Sequence, residues 1–297
     1  MQALFVGTLD GLFKVIRTKQ GWEIRSRNLA EMAVNALAIH PMQRQVIFAG
    51  VRGGGLYRSD DAGQNWQRVG AEVLSDKIRA LALDPSDADT VYAGTEPPAL
   101  WKSDDGGESW SDVRHLIDMD VHSVIFDRAN GALLYAATGG GENFPEPTPP
   151  PKGRPLYRSR DGGKNWQSIS DGVTRTYAVP VRVHPKNSQI LYLGVAQEPP
   201  PFWLDRPTKA NGAILRSVDG GVSWQQLEGG FPSPFDSMVE CIEFDPDQPD
   251  NVFLGTGGEG ARYIKLDKGE IYRSINRGDS WEKIPLRFPI IYALAAQ

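Results

Sequence analysis

Apolar residues along this chain fall in short β-type runs separated by polar, glycine-bearing turns, and the runs return in sets of four. One set, from position 34, reads "VNALAIHPMQRQVIFAGVRGGGLYRSDDAGQNWQRV"; the next, from position 78, reads "IRALALDPSDADTVYAGTEPPALWKSDDGGESWSDV". Each set predicts four strands: "ALAIH" or "ALALD", a nearly continuous apolar "VIFAG" or "VYAGT", then "LYRS" or "LWKS", and a last strand after a tryptophan. A repeating unit of four short antiparallel strands is one blade of a β-propeller.

The turn between the third and fourth strands repeats as Ser-x-Asp-x-Gly-x-x-Trp. It reads Ser59, Asp61, Gly63, Trp66; Ser103, Asp105, Gly107, Trp110; Ser159, Asp161, Gly163, Trp166; and Ser217, Asp219, Gly221, Trp224. A fifth copy keeps Ser274, Gly278 and Trp281 with Asn276 in the Asp position, and a decayed sixth, "LFKVIRTKQGW", keeps only Phe13 and Trp22. Ser and Asp oxygens suit the free N–H groups of a tight turn, Gly permits positive φ, and Trp covers the gap to the next blade. The repeat resembles the Asp-box (BNR) repeat over essentially the whole chain, and the resemblance implies that the boxes are frame rather than site.

Blade counting uses both ends of the chain. "LFVGT" near the start reads as a second strand, and "PIIYALAAQ" at the end aligns with "AVNALAIHP" as a first strand without its blade. Joined, they complete one sheet. The expected fold is all-β, a single domain over 1–297, and a six-bladed propeller of four-stranded antiparallel blades closed by the C-terminal strand.

Box tryptophans are 44 residues apart at 22, 66 and 110, then 56, 58 and 57 apart to 166, 224 and 281. The extra length lies between second and third strands, as "GGGENFPEPTPPPKGRP" (139–155), "AQEPPPFWLDRPTKANG" (196–212) and "GGEGARYIKLDKG" (257–269). Three adjacent blades therefore build up the face opposite the boxes, and long loops on a rigid frame are where binding and chemistry reside.

First strands point to that same face. Aligned at their beginnings they give Asn35, Arg79, His122, Val179, Glu240 and Tyr292. Further along, where three blades have Ala and one has Ile125, two carry Arg182 and Glu243. Five polar residues at one repeated position predict a lined pocket at the channel mouth. His40 and His184 each precede a proline at the opposite turn and read as turn residues, whereas His115 and His122 belong to the built-up face.

Composition removes several function classes. A formal net charge of -5 over 297 residues with scattered Lys and Arg offers no stripe for phosphates, which argues against nucleic acid and membrane surfaces. No apolar run reaches the ~20 residues of a membrane span, and "MQALFVGTLDG" lacks the plan of a signal peptide, so a cytoplasmic setting is expected. Cys241 is the one cysteine, which excludes an internal disulfide. The histidine spacing matches no metal site, and neither a metal nor another cofactor is expected.

Asp-box propellers include sialidases, xyloglucan-cleaving hydrolases, sortilin-type receptors and photosystem II assembly factors. Six blades resemble sialidases most, and that resemblance implies Tyr292 as nucleophile with Glu240 or Glu243 beside it, and Arg79, Arg182 and Arg262 as a carboxylate clamp. The Arg-Ile-Pro segment that opens a sialidase is absent and no aspartate is placed as the acid, so the likeness concerns the frame. Two functions follow. In one, the mouth acts on or binds a small polar or carbohydrate ligand, with Glu240 or Glu243 as acid and base, His122 as relay, Arg79 and Arg182 holding an anionic group, Asn35 beside them, and Trp203 and Tyr263 as loop platforms. In the other, the face holds a partner protein through an apolar patch of Phe202, Trp203, Phe231 and Phe235.

Overall fold

The computed structural model describes residues 3–70, 74–84, 87, 89–96, 99–113, 121–127, 130–139, 154–197, 209–233, 235–257 and 269–297. They form β1 (Leu4–Thr8), β2 (Gly11–Thr18) and β3 (Gly21–Asn28), then β4 (Ala33–Ile39), β5 (Ile47–Arg52), β6 (Gly55–Ser59) and β7 (Gln67–Val69). The next blade is β8 (Ile78–Leu83), β9 (Val91–Thr95), β10 (Ala99–Ser103) and β11 (Ser111–Asp112). It is followed by β12 (Val121–Asp127), β13 (Asn130–Thr138), β14 (Leu156–Ser159) and β15 (Gln167–Ser168). Then come β16 (Tyr177–His184), β17 (Asn187–Ala196), β18 (Ala213–Ser217) and β19 (Gln225–Gln226). The last are β20 (Val239–Phe244), β21 (Val252–Thr256), β22 (Ile271–Ser274), β23 (Glu282–Lys283) and β24 (Ile291–Ala296).

They make six four-stranded sheets, and β24 pairs with β1, so the sixth blade joins the two ends of the chain, as expected from the sequence. Each first strand, β4, β8, β12, β16, β20 and β24, touches the first strand of the blades on either side, which makes them the inner wall of a closed ring. The second strands are buried along most of their length, which explains why they read as continuous apolar runs.

Joints between blades follow one rule. A Cβ at Gly7, Gly50, Gly194 or Gly255 would press on the branched side chain near the start of the next inner strand, Val34, Ile78, Val239 or Ile291, and one at Gly94 would touch Val121 at ordinary contact distance. Glycine on one blade makes room for a branched residue on the next. At the register equivalent in β13 the chain has Ala137, and the next strand opens with Ala178 instead of a branched residue; both belong to one core cluster. A larger residue on one side is matched by a smaller one on the other, as close packing demands.

The boxes form the turns between third and fourth strands. Ser59 Oγ accepts from the Gly63 amide at 2.9 Å and donates to Asp61 Oδ1, also at 2.9 Å, while Asp61 accepts the amides of Gln64 and Asn65. Ser103–Asp105, Ser159–Asp161 and Ser217–Asp219 repeat the arrangement. Asn276 preserves it: its Oδ1 accepts from Ser274 Oγ at 2.8 Å and from the Ser280 amide at 3.0 Å. Hydrogen bonds from Asn65, Ser109 and Asn165 hold the Asp61, Asp105 and Asp161 carboxyls down to about 2. Trp66, Trp110 and Trp166 each donate Nε1–H to the box glycine carbonyl.

Candidate functional site

Inner strands share an irregularity that makes the site. On β4, Val34 pairs with Val51 and Ala36 with Gly50, so Asn35 is an extra residue without a partner in the ladder. The same bulge leaves out Arg79 on β8, His122 on β12, Glu240 on β20 and Tyr292 on β24, and on β16 it leaves out Val179 together with Pro180. A bulge bends the strand and re-aims the extra side chain. All six bulged residues line a single cavity at the channel mouth, with Ala36, Ala80, Ser123, Pro180, Cys241 and Ala293 as a ring of small residues one step deeper along the strands. The cavity is small, about 40 Å³, with room for a few waters or one small polar group.

Glu240 is the one carboxylic residue lining the cavity among the described residues. Burial pushes its carboxyl up to about 7, against the opposing pull of His122 and Arg79. It makes no hydrogen bond to a described residue. Its Oε1 lies over Gly257, just beyond β21, where a Cβ would stand 2.6 Å from that oxygen. Arg79 is held from one side: Nη2 lies 2.9 Å from Glu96 Oε2, and Lys77 Nζ is 3.0 Å from the other oxygen of Glu96. Burial alone would raise the Glu96 carboxyl, but Lys77 and Arg79 outweigh it and keep it below the ordinary value. Arg79 Nε and Asn35 Oδ1 are buried with no hydrogen-bond partner, which is uncommon enough in folded proteins to require a reason.

His122 is fixed by its neighbours on β16. Its Nδ1 lies 2.7 Å from the carbonyl oxygen of Ala178, which only accepts, so Nδ1 carries the proton and Nε2 faces Tyr177 Oη at 3.5 Å. The two rings lie 4.8 Å apart. Arg182 lines the cavity, donating from Nη1 to the Val181 carbonyl at 3.0 Å and to Ser123 Oγ at 3.4 Å. Glu243 is not part of the lining; its Oε1 accepts the Phe244 amide at 2.9 Å. Burial, with the Glu240 charge next, raises the Cys241 thiol far above its usual range, so it is an inert wall.

Six of the expected site residues thus meet at one mouth, Asn35, Arg79, His122, Arg182, Glu240 and Tyr292, with Val179 between them. Glu243 stands apart. Trp203, Arg262, Tyr263 and His115 lie outside the described residues. Sequence reasoning missed Tyr177, which precedes the aligned segment, and Gly257, which sits in an insertion. It also placed Phe231 and Phe235 in an exposed apolar patch. Both are buried, 6% and 8% exposed, in a core cluster where their rings pack 4.8 Å apart. Phe202 lies outside the described residues. His40 and His184 are turn residues as expected: His40 Nδ1 accepts the Met42 and Gln43 amides, and His184 Nδ1 accepts the Lys186 amide. Among the described residues no group of His, Cys, Asp or Glu could hold a metal, and no helix is long and apolar enough to cross a membrane.

Residues 54–199 match the Sortilin-Vps10 family model (Sortilin, neurotensin receptor 3). Two curated relatives are a probable oligoxyloglucan-reducing end-specific xyloglucanase of Neosartorya fischeri, 28% identical over 39% of this chain, and a xyloglucanase of a Paenibacillus species, 25% identical over 55%. The alignments span only 13% and 14% of those proteins. Among solved structures, the xyloglucanase of Xanthomonas campestris aligns with a TM-score of 0.61 at 19% identity, covering 94% of this chain and 43% of that one. A chain of a nidogen/laminin complex aligns at 0.67 and 11% identity, covering 98% and 97%. YCF48 bound to D1 peptide aligns at 0.52 and 15%, covering 95% and 78%. The chain is a six-bladed β-propeller with glycosyl-hydrolase-like and binding propellers among its neighbours.

Proposed function

We propose that the protein is a ligand-binding propeller whose channel mouth, on the face opposite the boxes, takes a small polar molecule carrying an anionic group, with Glu240 as its proton acceptor. One observation carries the reading. The same bulge recurs on all six inner strands and presents chemically different side chains to one point, leaving Arg79 Nε and Asn35 Oδ1 buried without partners. A pore filled with water would not require an arginine, a histidine, a tyrosine and a shielded carboxyl at equivalent seats. Glycosidases of the common kind use two carboxyl groups across the scissile bond. Among the described residues the mouth has one, so the arrangement favours binding, or proton transfer at a single carboxyl, over two-carboxylate hydrolysis. The partner-protein reading loses Phe231 and Phe235 to the core.

A thermal-shift screen of small carboxylates, sugar acids and amino acids tests this. A ligand of the mouth raises the melting temperature of the wild type, and its affinity falls about tenfold or more in Arg79→Gln, the scale of a lost charge-assisted hydrogen bond. Equal stabilisation of wild type, Arg79→Gln and Glu240→Gln by every hit would place the site elsewhere.

A further inference from the structure

We infer that the ligand of this mouth is a free α-amino acid, a zwitterion whose carboxylate meets Arg79 and whose ammonium meets Glu240 and Asn35. The inference rests on the reading of the mouth as a small-ligand site and adds the ligand's charge. In a ring of six blades, β8 and β20 are three places apart, so Arg79 and Glu240 project from opposite blades. The groups turned to the cavity are of both kinds. Arg79 Nε has a proton and no acceptor and Asn35 Oδ1 has lone pairs and no donor, and the Glu240 carboxyl lines the same cavity.

A purely anionic ligand would satisfy Arg79 and stand against Glu240. A purely cationic one would satisfy Glu240 and stand against Arg79 and Arg182. Glu96 already meets one edge of Arg79, so a ligand has to answer the open Nε edge on one side of the mouth and the Glu240 carboxyl on the other, and a molecule with both charges answers both. The small volume at the mouth takes a head group, with the rest of the molecule directed outward. A peptide end brings one of the two charges, whereas a free amino acid brings both on one carbon. Val179 and Pro180 supply an apolar wall beside that carbon.

The test compares the protein amino acids with propionate, lactate and ethylamine by calorimetry on the intact protein. The expected result is at least one amino acid bound tenfold or more tightly than all three single-function analogues. Glu240→Gln should reduce it to the level of propionate, and Arg79→Gln to that of ethylamine. Acidity gives an independent sign. Facing Glu240 are Arg79, His122, Arg182 and Tyr292 from other blades and Cys241 on its own strand. Of these, it is the Glu240 carboxyl that burial raises to about 7. Ammonium binding needs the Glu240 carboxylate, so affinity should weaken from about pH 8 to 6, and that slope should vanish in Glu240→Gln and persist in His122→Asn. An anion held by protonated Glu240 would show the opposite slope. Propionate or lactate binding as tightly as any amino acid, and lost in Arg79→Gln, would overturn the zwitterion while keeping the mouth as the site. Absence of binding by every probe, or binding indifferent to Arg79 and Glu240, would overturn both.

Discussion

Box turns and bulged inner strands lie at opposite ends of the same blades, and they treat repetition in opposite ways. At the boxes, Ser, Asp and the amides following them satisfy one another, and even the exchange of Asp for Asn276 leaves the pattern of bonds intact. At the bulges the backbone repeats as faithfully, yet six seats hold Asn, Arg, His, Val, Glu and Tyr, and two of those side chains keep buried polar atoms unpartnered. Repeated side chains mark what every blade needs for itself. Varied side chains on a repeated backbone mark what the ring does as a whole.

The largest expected effect comes from opening the ring. Deleting residues 290–297 removes β24, exposes the edge of β1 and strips Val6 and Leu4 of core partners, so cooperative thermal unfolding in a calorimeter should disappear. A truncated protein that melts like the full chain would show that closure is dispensable. Next, Trp110→Ala on the box face should cost about 3 kcal/mol in denaturant unfolding, the low end for a large aromatic because Trp110 is only partly buried. Binding at the mouth by the folded fraction should be unchanged, and a loss of binding there would break the division between the two faces.

Glu240→Gln sharpens the contrast by moving stability the other way. A carboxyl raised from the ordinary 4.5 to about 7 holds its proton more tightly in the folded chain. Its contribution is therefore fully present below about pH 4.5 and is lost as pH rises toward about 7. Glutamine escapes that loss, so relative to its effect near pH 4 the variant should gain about 1–3 kcal/mol near pH 8 in denaturant unfolding, allowing for the partial exposure of the site. Stability unchanged between the two pH values would mean that Glu240 is well solvated.

Most of the ring was legible in the sequence because the boxes set the register, and once the blades are aligned the six inner seats fall into one column. The bulge was hidden, since an extra residue in a strand shows only against the strand it pairs with. Arg182 and Glu243 occupy the same column but part ways for a physical reason. The longer guanidinium reaches the mouth, while the shorter carboxylate turns to the amide of Phe244 on its own strand. Tyr177 escaped notice because it precedes the conserved-length part of its strand, and its role exists only through His122 on the neighbouring blade. Phe231 and Phe235 read as surface because they sit in a long connection between two strands. There the chain folds back over Tyr272 and Trp281, and that contact has no local signature.

The glycine-and-branched joints give each blade an address. Five joints set glycine against Val or Ile, tightly at four of them and loosely between Gly94 and Val121, and the joint from β13 to β16 sets alanine against alanine. Blades that look interchangeable are therefore not freely so. Transplanting the blade that opens with Ala178 to another position would set a small residue against glycine and leave a void, and inserting a blade that opens with Val or Ile after Ala137 would set a branched side chain where no glycine yields. An engineer who wishes to shuffle or permute this ring must carry the two sides of every joint together.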